Sequence, residues 1–436
     1  ADVSNYTVTD QSTTTANITA KSLTVSGITA SSKTYDGSAS ATLDTSSVLY
    51  NGLVSGDTFN GSYTGAFSNA NVGTGKTVTI TSSYSGADTG NYSVTDQSST
   101  TADISTKALT ATASASNKTY DGSTTASTTL TFSGLVGSET LGQTVGSTFD
   151  NKNVGSNKTV TVNSITLADG SGLAANYSIS AGQTTTANIT AKSLTVSGIT
   201  SSNKTYDGNG VATLDASSVA YSGIVSGDTF NGTYTGAFSD KNVGTGKTVT
   251  ITPSYSGADV SNYSVTDQSS TTANITAKSL TVSGITASSK TYDGSTSATL
   301  DSASVTYTGL LSGDTFTGSY SGVFANANVG TGKTVNITSS YSGTDSGNYS
   351  VTDQSSTTAD ISTKALTATA SASNKTYDGG TTASTTLILS GFIGSETLTS
   401  STSSSFNNKN VGTGKAVTVN SITLADGTNG GLAANY

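Results

Sequence analysis

The sequence predicts an all-β protein: a tandem array of small antiparallel β-sandwich-like domains forming an extended rod. Three observations carry that prediction. A motif returns about every 85 residues, apolar side chains alternate with Ser and Thr at period two, and the turns are rich in Gly, Asn and Asp, with no helical period in any segment.

The motif is Lys-Thr-Tyr-Asp-Gly. Its characteristic residues are Lys33, Tyr35, Asp36 and Gly37, then Lys118, Tyr120, Asp121 and Gly122, then Lys204, Tyr206, Asp207 and Gly208. Two more copies bring Lys290, Tyr292, Asp293 and Gly294, and Lys375, Tyr377, Asp378 and Gly379. The steps between copies are 85, 86, 86 and 85 residues. Units starting at Lys21, Lys192 and Lys278 resemble one another (type A) more than those starting at Lys107 and Lys364 (type B).

The organisation follows. Residues 1–20 end a preceding repeat, 21–106 are type A, 107–191 type B, 192–277 type A, 278–363 type A, and 364–436 an incomplete type B. Residues 1–20 match 258–277 except at Thr7 and Thr13, where Ser264 and Ser270 stand, an offset of 257 that equals the step from Lys33 to Lys290. The larger repeat is therefore the triplet A-A-B, and both termini fall inside units, as expected of a window on a longer array. Interleaved B units are expected to limit misassembly between near-identical neighbours.

Within type A, Phe59, Tyr63 and Phe67 alternate with Gly61 and Gly65, Val78 and Ile80 with Thr77, Thr79 and Thr81, and Tyr92 with Val94. One face is thus apolar and the other Ser/Thr, the pattern of sheets with one wet face. Asn51-Gly52, Ser55-Gly56-Asp57, Val72-Gly73-Thr74-Gly75 and Ser85-Gly86-Ala87-Asp88 supply the turns. Each unit holds enough apolar side chains for a modest core of its own. A β-grasp-like unit is the alternative, and a solenoid fits less well because its coils are shorter. At the joins, Ile104-Ser105-Thr106-Lys107-Ala108-Leu109 reads as one extended segment with no Gly/Ser-rich or Pro-rich spacer, hence a stiff connection.

Composition narrows function. The chain has no His, Cys, Met or Trp, and its 27 acidic residues outweigh 18 basic ones for a net charge of -9. Nucleic acid is not expected as a partner, because no basic face concentrates. No apolar run approaches the roughly 18 residues of a membrane span. The common general bases and nucleophile pairs are missing, with only Glu139 and Glu396 besides Asp, so no enzyme activity, catalytic residue, metal or cofactor is expected.

Individual motifs receive plain readings. Tyr35 is expected to pack inward, Asp36-Gly37 to form a turn with Gly at positive φ, and the Lys33 stem to cover apolar surface. A sharper alternative is a Lys–Asn isopeptide bond from Lys33, Asn91 and Asp88. Ala70 to Thr77 fits a relaxed phosphate-loop pattern, as does Ala327 to Thr334, but an alternating strand follows each where a helix is needed, and Lys241-Asn242-Val243-Gly244 and Lys409-Asn410-Val411-Gly412 break the pattern. Asp57 and Asp88 sit singly in their turns, which favours turn formation over calcium. Sequons at Asn5, Asn17, Asn60, Asn91, Asn188 and Asn274 offer glycosylation sites.

Lys-Thr-Tyr-Asp-Gly, Ser55-Gly56-Asp57-Thr58-Phe59, Asn71 to Val78 and Ser85 to Tyr92 together resemble the YDG-type repeat of filamentous-haemagglutinin-like bacterial exoproteins. Type B departs at Gly137-Ser138-Glu139-Thr140 and Ala174-Ala175-Asn176-Tyr177. The resemblance implies two-partner secretion, an extracellular or cell-surface location, and a role in adhesion or biofilm matrix. The expected function is a structural stalk or fibre whose partners are neighbouring repeats and other copies of itself. The alternatives are a module that binds a cell-surface glycan and, less directly, an ice-binding face of repeated Thr-x-Thr.

Overall fold

The computed structural model describes residues 3–436. Ala1 and Asp2, the first residues of the segment assigned to a preceding repeat, lie outside the described residues. Strands dominate, and helix is limited to single 3-10 turns, so the all-β tandem architecture is as the alternation predicts. Among the described residues no helix is long and apolar enough to cross a membrane.

The first repeat shows the pattern. Its strands are β1 (Lys21–Ser26), β2 (Thr29–Ala30), β3 (Lys33–Thr34), β4 (Ser40–Ala41), β5 (Leu43–Asp44), β6 (Leu49–Asn51), β7 (Asn60–Phe67), β8 (Gly73–Ser85), β9 (Tyr92–Thr95) and β10 (Ser99–Ser105). They form a three-stranded sheet in the order β6-β1-β9 and a five-stranded sheet in the order β3-β10-β8-β7-β4, with a short β2-β5 ladder. The β7–β8 hairpin pairs antiparallel from Asn60 opposite Ser85 to Phe67 opposite Val78. Gly61, Tyr63, Gly65 and Phe67 share its inner face, and Gly65 leaves room for Leu43, whose side chain a Cβ there would meet at 2.8 Å. On β8, Val78 and Ile80 are buried while Thr77, Thr79 and Thr81 face solvent.

Two pairings are parallel. Lys21 and Leu23 of β1 lie opposite Tyr92 and Val94 of β9, and Lys33 of β3 lies opposite Ile104 of β10. Parallel neighbours need a long crossover, and here the intervening strands of the repeat provide it. The second repeat keeps the same five-strand order with a longer hairpin, Leu141–Phe149 against Gly155–Asp169, bulged between Gly146 and Ser147. Consecutive repeats join almost without a break: one residue, Thr106, separates β10 from the strand Lys107–Ala108.

The chain divides into two compact units. One comprises Ala1–Thr195, Tyr221–Asn231 and Tyr255–Thr266; the other comprises Val196–Ala220, Gly232–Ser254 and Asp267–Tyr436. The division runs through the third repeat, so a packing unit is not a sequence repeat.

The buried clusters show why. In the first unit, Leu23, Val25, Ile28, Phe59, Ile80 and Tyr92 form a core internal to the first repeat. A second cluster holds Tyr35, Phe67, Val78, Ala102 and Ile104 together with Leu109 and Tyr177 of the second repeat. In the second unit, Tyr206, Phe238, Val249 and Ile275 of the third repeat pack with Leu280, Val282, Phe316 and Tyr349 of the fourth. The sequence suggests one self-contained core per unit, whereas the five-stranded sheet of one repeat is in fact covered by the opening segment of the next. Each sheet has one apolar face and must bury it against another layer. Full burial of a side chain such as Val78 contributes about 1.5–3 kcal/mol.

Candidate functional site: the joints between repeats

The Lys and Asp of the pentapeptide work inside their own repeat. The Lys33 ammonium donates to Asp36 at 2.8 Å and to the Ser38 and Ser40 carbonyls at 2.7 and 2.9 Å, and lies 5.6 Å from the Phe67 ring centroid. Asp36 also accepts the Ser38 amide at 2.9 Å. The Lys33 ammonium and the Ser38 amide hold the Asp36 carboxyl below the usual carboxylate range. The same clamp recurs at Lys118 with Asp121 and Phe149, Lys204 with Asp207 and Phe238, Lys290 with Asp293 and Phe324, and Lys375 with Asp378 and Phe406.

The Tyr and Gly reach across the border. Tyr35 donates to Glu139 of the second repeat at 2.7 Å and stacks edge-on against Tyr177, centroids 5.3 Å apart, while Tyr177 donates to the other Glu139 oxygen at 2.5 Å. Gly37 has φ +79°, and a Cβ there would lie 2.8 Å from Val136 Cγ1. A side chain is therefore excluded twice, by the left-handed backbone and by the neighbour. Tyr292 repeats the arrangement in the second unit, bonding Glu396 at 2.6 Å and packing on Tyr436.

Where a type A repeat follows, two aspartates replace the glutamate. Tyr120 donates to Asp228 at 2.8 Å, and Tyr263 donates to Asp228 at 2.5 Å. Lys152 bridges Asp228 at 3.0 Å and Asp259 at 2.9 Å beneath the Tyr120 ring. In the second unit Lys241 bonds Asp345 at 3.1 Å and approaches Asp314 at 3.7 Å beside Tyr206.

An asparagine latches every joint. Asn176 Oδ1 accepts the Val72 amide at 2.9 Å, and its Nδ2 donates to Asn71 at 3.0 Å. Asn262 holds Val154 and Asn153, Asn348 holds Val243 and Asn242, and Asn435 holds Val329 and Asn328 in the same way. All four asparagines are buried, so the sequons that Asn176, Asn262 and Asn348 begin are closed to sugar in the folded joint.

Burial, reinforced by Glu139, pushes the Tyr35 hydroxyl up to about 12, and burial with Glu396 does the same for Tyr292. Tyr263 and Tyr349 also rise to about 12, through burial and then the bonds to Asp228 and Asp314. Lys152 and then the Thr229 amide hold Asp259 below the usual carboxylate range; the Thr315 amide and then Lys241 do so for Asp345. Burial raises the Asp228 carboxyl, but bonds from Tyr263, Tyr120 and Lys152 together bring it below its ordinary value. These groups are engaged with one another across the border, as a fastening requires.

The other motifs fall into place around the joints. Of the groups in the isopeptide reading, Lys33 is engaged in its clamp and Asp88 accepts the Thr58 amide at 2.9 Å. The phosphate-loop match is the lead into β8, with the Val72 amide bonded to Asn176 and Lys76 to Asn69. Among the described residues no group of three or more His, Cys, Asp or Glu is placed to hold a metal ion. A groove of about 750 Å³ is lined by Asn374 to Tyr377, Phe406 and Asn408 to Lys415.

Sequence reasoning missed the latch and the acidic partners. The signal was the dipeptide Asn-Tyr, present in every repeat at Asn91, Asn176, Asn262, Asn348 and Asn435 although types A and B differ around it.

All-β repeats fastened each to the next by a shared tyrosine, carboxylate and asparagine define a tandem structural or binding repeat region. The chain belongs to the YDG domain family: the domain is matched five times, at residues 19–102, 105–187, 190–273, 276–359 and 362–436. Among curated proteins no match to the chain is found.

Proposed function

We propose that this chain is a non-catalytic part of a large secreted bacterial surface protein, acting outside the cell as a stalk or fibre in adhesion or biofilm matrix. The joint supports this reading. Repeats linked by flexible spacers would separate under tension at little cost, whereas here one to four residues link the strands and a buried Tyr–carboxylate–Asn cluster fastens the bodies. Separating a pair exposes apolar surface and buried polar groups together. Partners in this reading are neighbouring repeats and other copies of the same chain.

Single-molecule extension of the full chain, held at both ends, tests it. Resistance up to discrete rupture events is expected. A smooth gain in length at low force would show compliant joints and overturn the reading. Antibody labelling of intact producing cells tests the location, with surface signal expected and labelling only after lysis counting against it.

A further inference from the structure

The loop before the long hairpin strand reads Asn69-Ala70-Asn71-Val72 in the first repeat and Asn151-Lys152-Asn153-Val154 in the second. It reads Asp240-Lys241-Asn242-Val243 in the third, Asn326-Ala327-Asn328-Val329 in the fourth and Asn408-Lys409-Asn410-Val411 in the fifth. The second position is Ala or Lys, and the choice does not follow repeat type, since type A units carry Ala70, Lys241 and Ala327. It follows the next repeat. Ala precedes a head bearing one carboxylate, Glu139 or Glu396, with Leu173 or Leu432 at the second acidic place. Lys precedes a head bearing two, Asp228 with Asp259 or Asp314 with Asp345.

Charge explains the pairing. The Asp228 and Asp259 side chains are only 3% and 10% exposed, and two carboxylates brought together out of water repel unless a cation stands between them. Lys152 is that cation. In the one-carboxylate head, both Glu139 oxygens already accept tyrosine hydroxyls, Leu173 replaces the second acid, and Ala70 packs into the apolar cluster. A lysine there would meet a single carboxylate where Lys152 meets two, with Leu173 standing in place of the second.

We propose that this single residue keys each joint: Lys selects a repeat with an aspartate pair, and Ala selects a repeat with the Glu–Leu head. All four joints obey the rule. By the same rule Lys409 of the fifth repeat is a key for an aspartate-pair head, the class to which Asp57 and Asp88 of the first repeat belong. The key sets the order of repeats, and so goes beyond the mechanical reading and does not depend on where the protein works.

The test uses amide exchange in the full chain at neutral pH, read at Val154, whose amide bonds Asn262 only when the joint is closed. Lys152→Ala is expected to speed exchange there by about tenfold, the scale of one charge-assisted hydrogen bond, and to leave Val329 in a distant joint unchanged. Adding Asp228→Glu and Asp259→Leu to Lys152→Ala rebuilds the other matched pair and is expected to restore protection. The same two head changes with Lys152 kept are expected to leave the joint open. Ala70→Lys is expected to open the first joint, read at Val72. Unchanged exchange in Lys152→Ala, or additive losses in the rebuilt pair, would overturn the proposal.

Discussion

The Tyr120 hydroxyl lies 2.8 Å from the Asp228 carboxylate of the following repeat, so the best-marked residue of the sequence motif completes its hydrogen bonding 108 residues away. Tyr377, at the same place in the fifth repeat, is 59% exposed. This contrast makes the chain its own control.

Tyr120→Phe removes a donor from a buried carboxylate and is expected to destabilise the first unit by about 1–3 kcal/mol. In a chain ending at Tyr436, Tyr377→Phe removes a hydroxyl that faces water and is expected to be near neutral. Urea titrations of these variants of the 436-residue chain compare them. Equal effects at both positions would show that the tyrosine acts within its own repeat.

Gly37 and Gly379 share a φ of +79°, but only Gly37 has a neighbour in reach, Val136. Alanine at either costs about 1–2 kcal/mol for the left-handed backbone. Gly37→Ala must also displace Val136, so its loss is expected to be the larger. A Gly379→Ala variant at least as destabilised as Gly37→Ala would mean that the neighbour yields freely.

Asn176→Ala leaves the Val72 amide without its acceptor in a closed joint, a loss of about 1–3 kcal/mol. Exchange at Val72 is expected to accelerate while exchange inside the first repeat's own core, at Ile80, holds. Loss of protection at both sites would make the asparagine a determinant of the whole fold rather than a latch.

Both ends of the pH scale are expected to open the joints. The Asp259 and Asp345 carboxyls lie below their ordinary value of 3.8, so their stabilisation is present above that value and is lost as pH falls through the folded-state value. The Tyr35 and Tyr292 hydroxyls are raised from 10.0 to about 12, so their contribution is complete below pH 10 and is lost as pH rises towards 12. Near-ultraviolet circular dichroism of the packed tyrosines reports both. A change from pH 10 to 12 no larger than tyrosine ionisation alone produces would mean that these hydroxyls ionise without opening the joint.

Much of the fold is legible along the chain because strand periodicity is local. Val78 and Ile80 between threonines mark a half-buried strand, and Gly52, Gly56 and Gly86 at positive φ mark turns. The joint is less legible. Tyr35 and Lys33 stand two residues apart in one motif, yet Lys33 closes a turn beside itself and Tyr35 serves the next repeat. The parallel pairing of β1 with β9 was equally hidden, since alternation states which face is apolar and not which strand lies alongside.

By itself, the sequence determined the period, the A-A-B order, the all-β character and the inward-facing side chains, all of which follow from the alternation of side chains along an extended backbone. Only the tertiary structure decided that cores are shared across repeat borders and that Tyr35 meets Glu139 and Tyr177. Those contacts join residues about a hundred positions apart, and their geometry depends on sheet order and register, which no local pattern encodes.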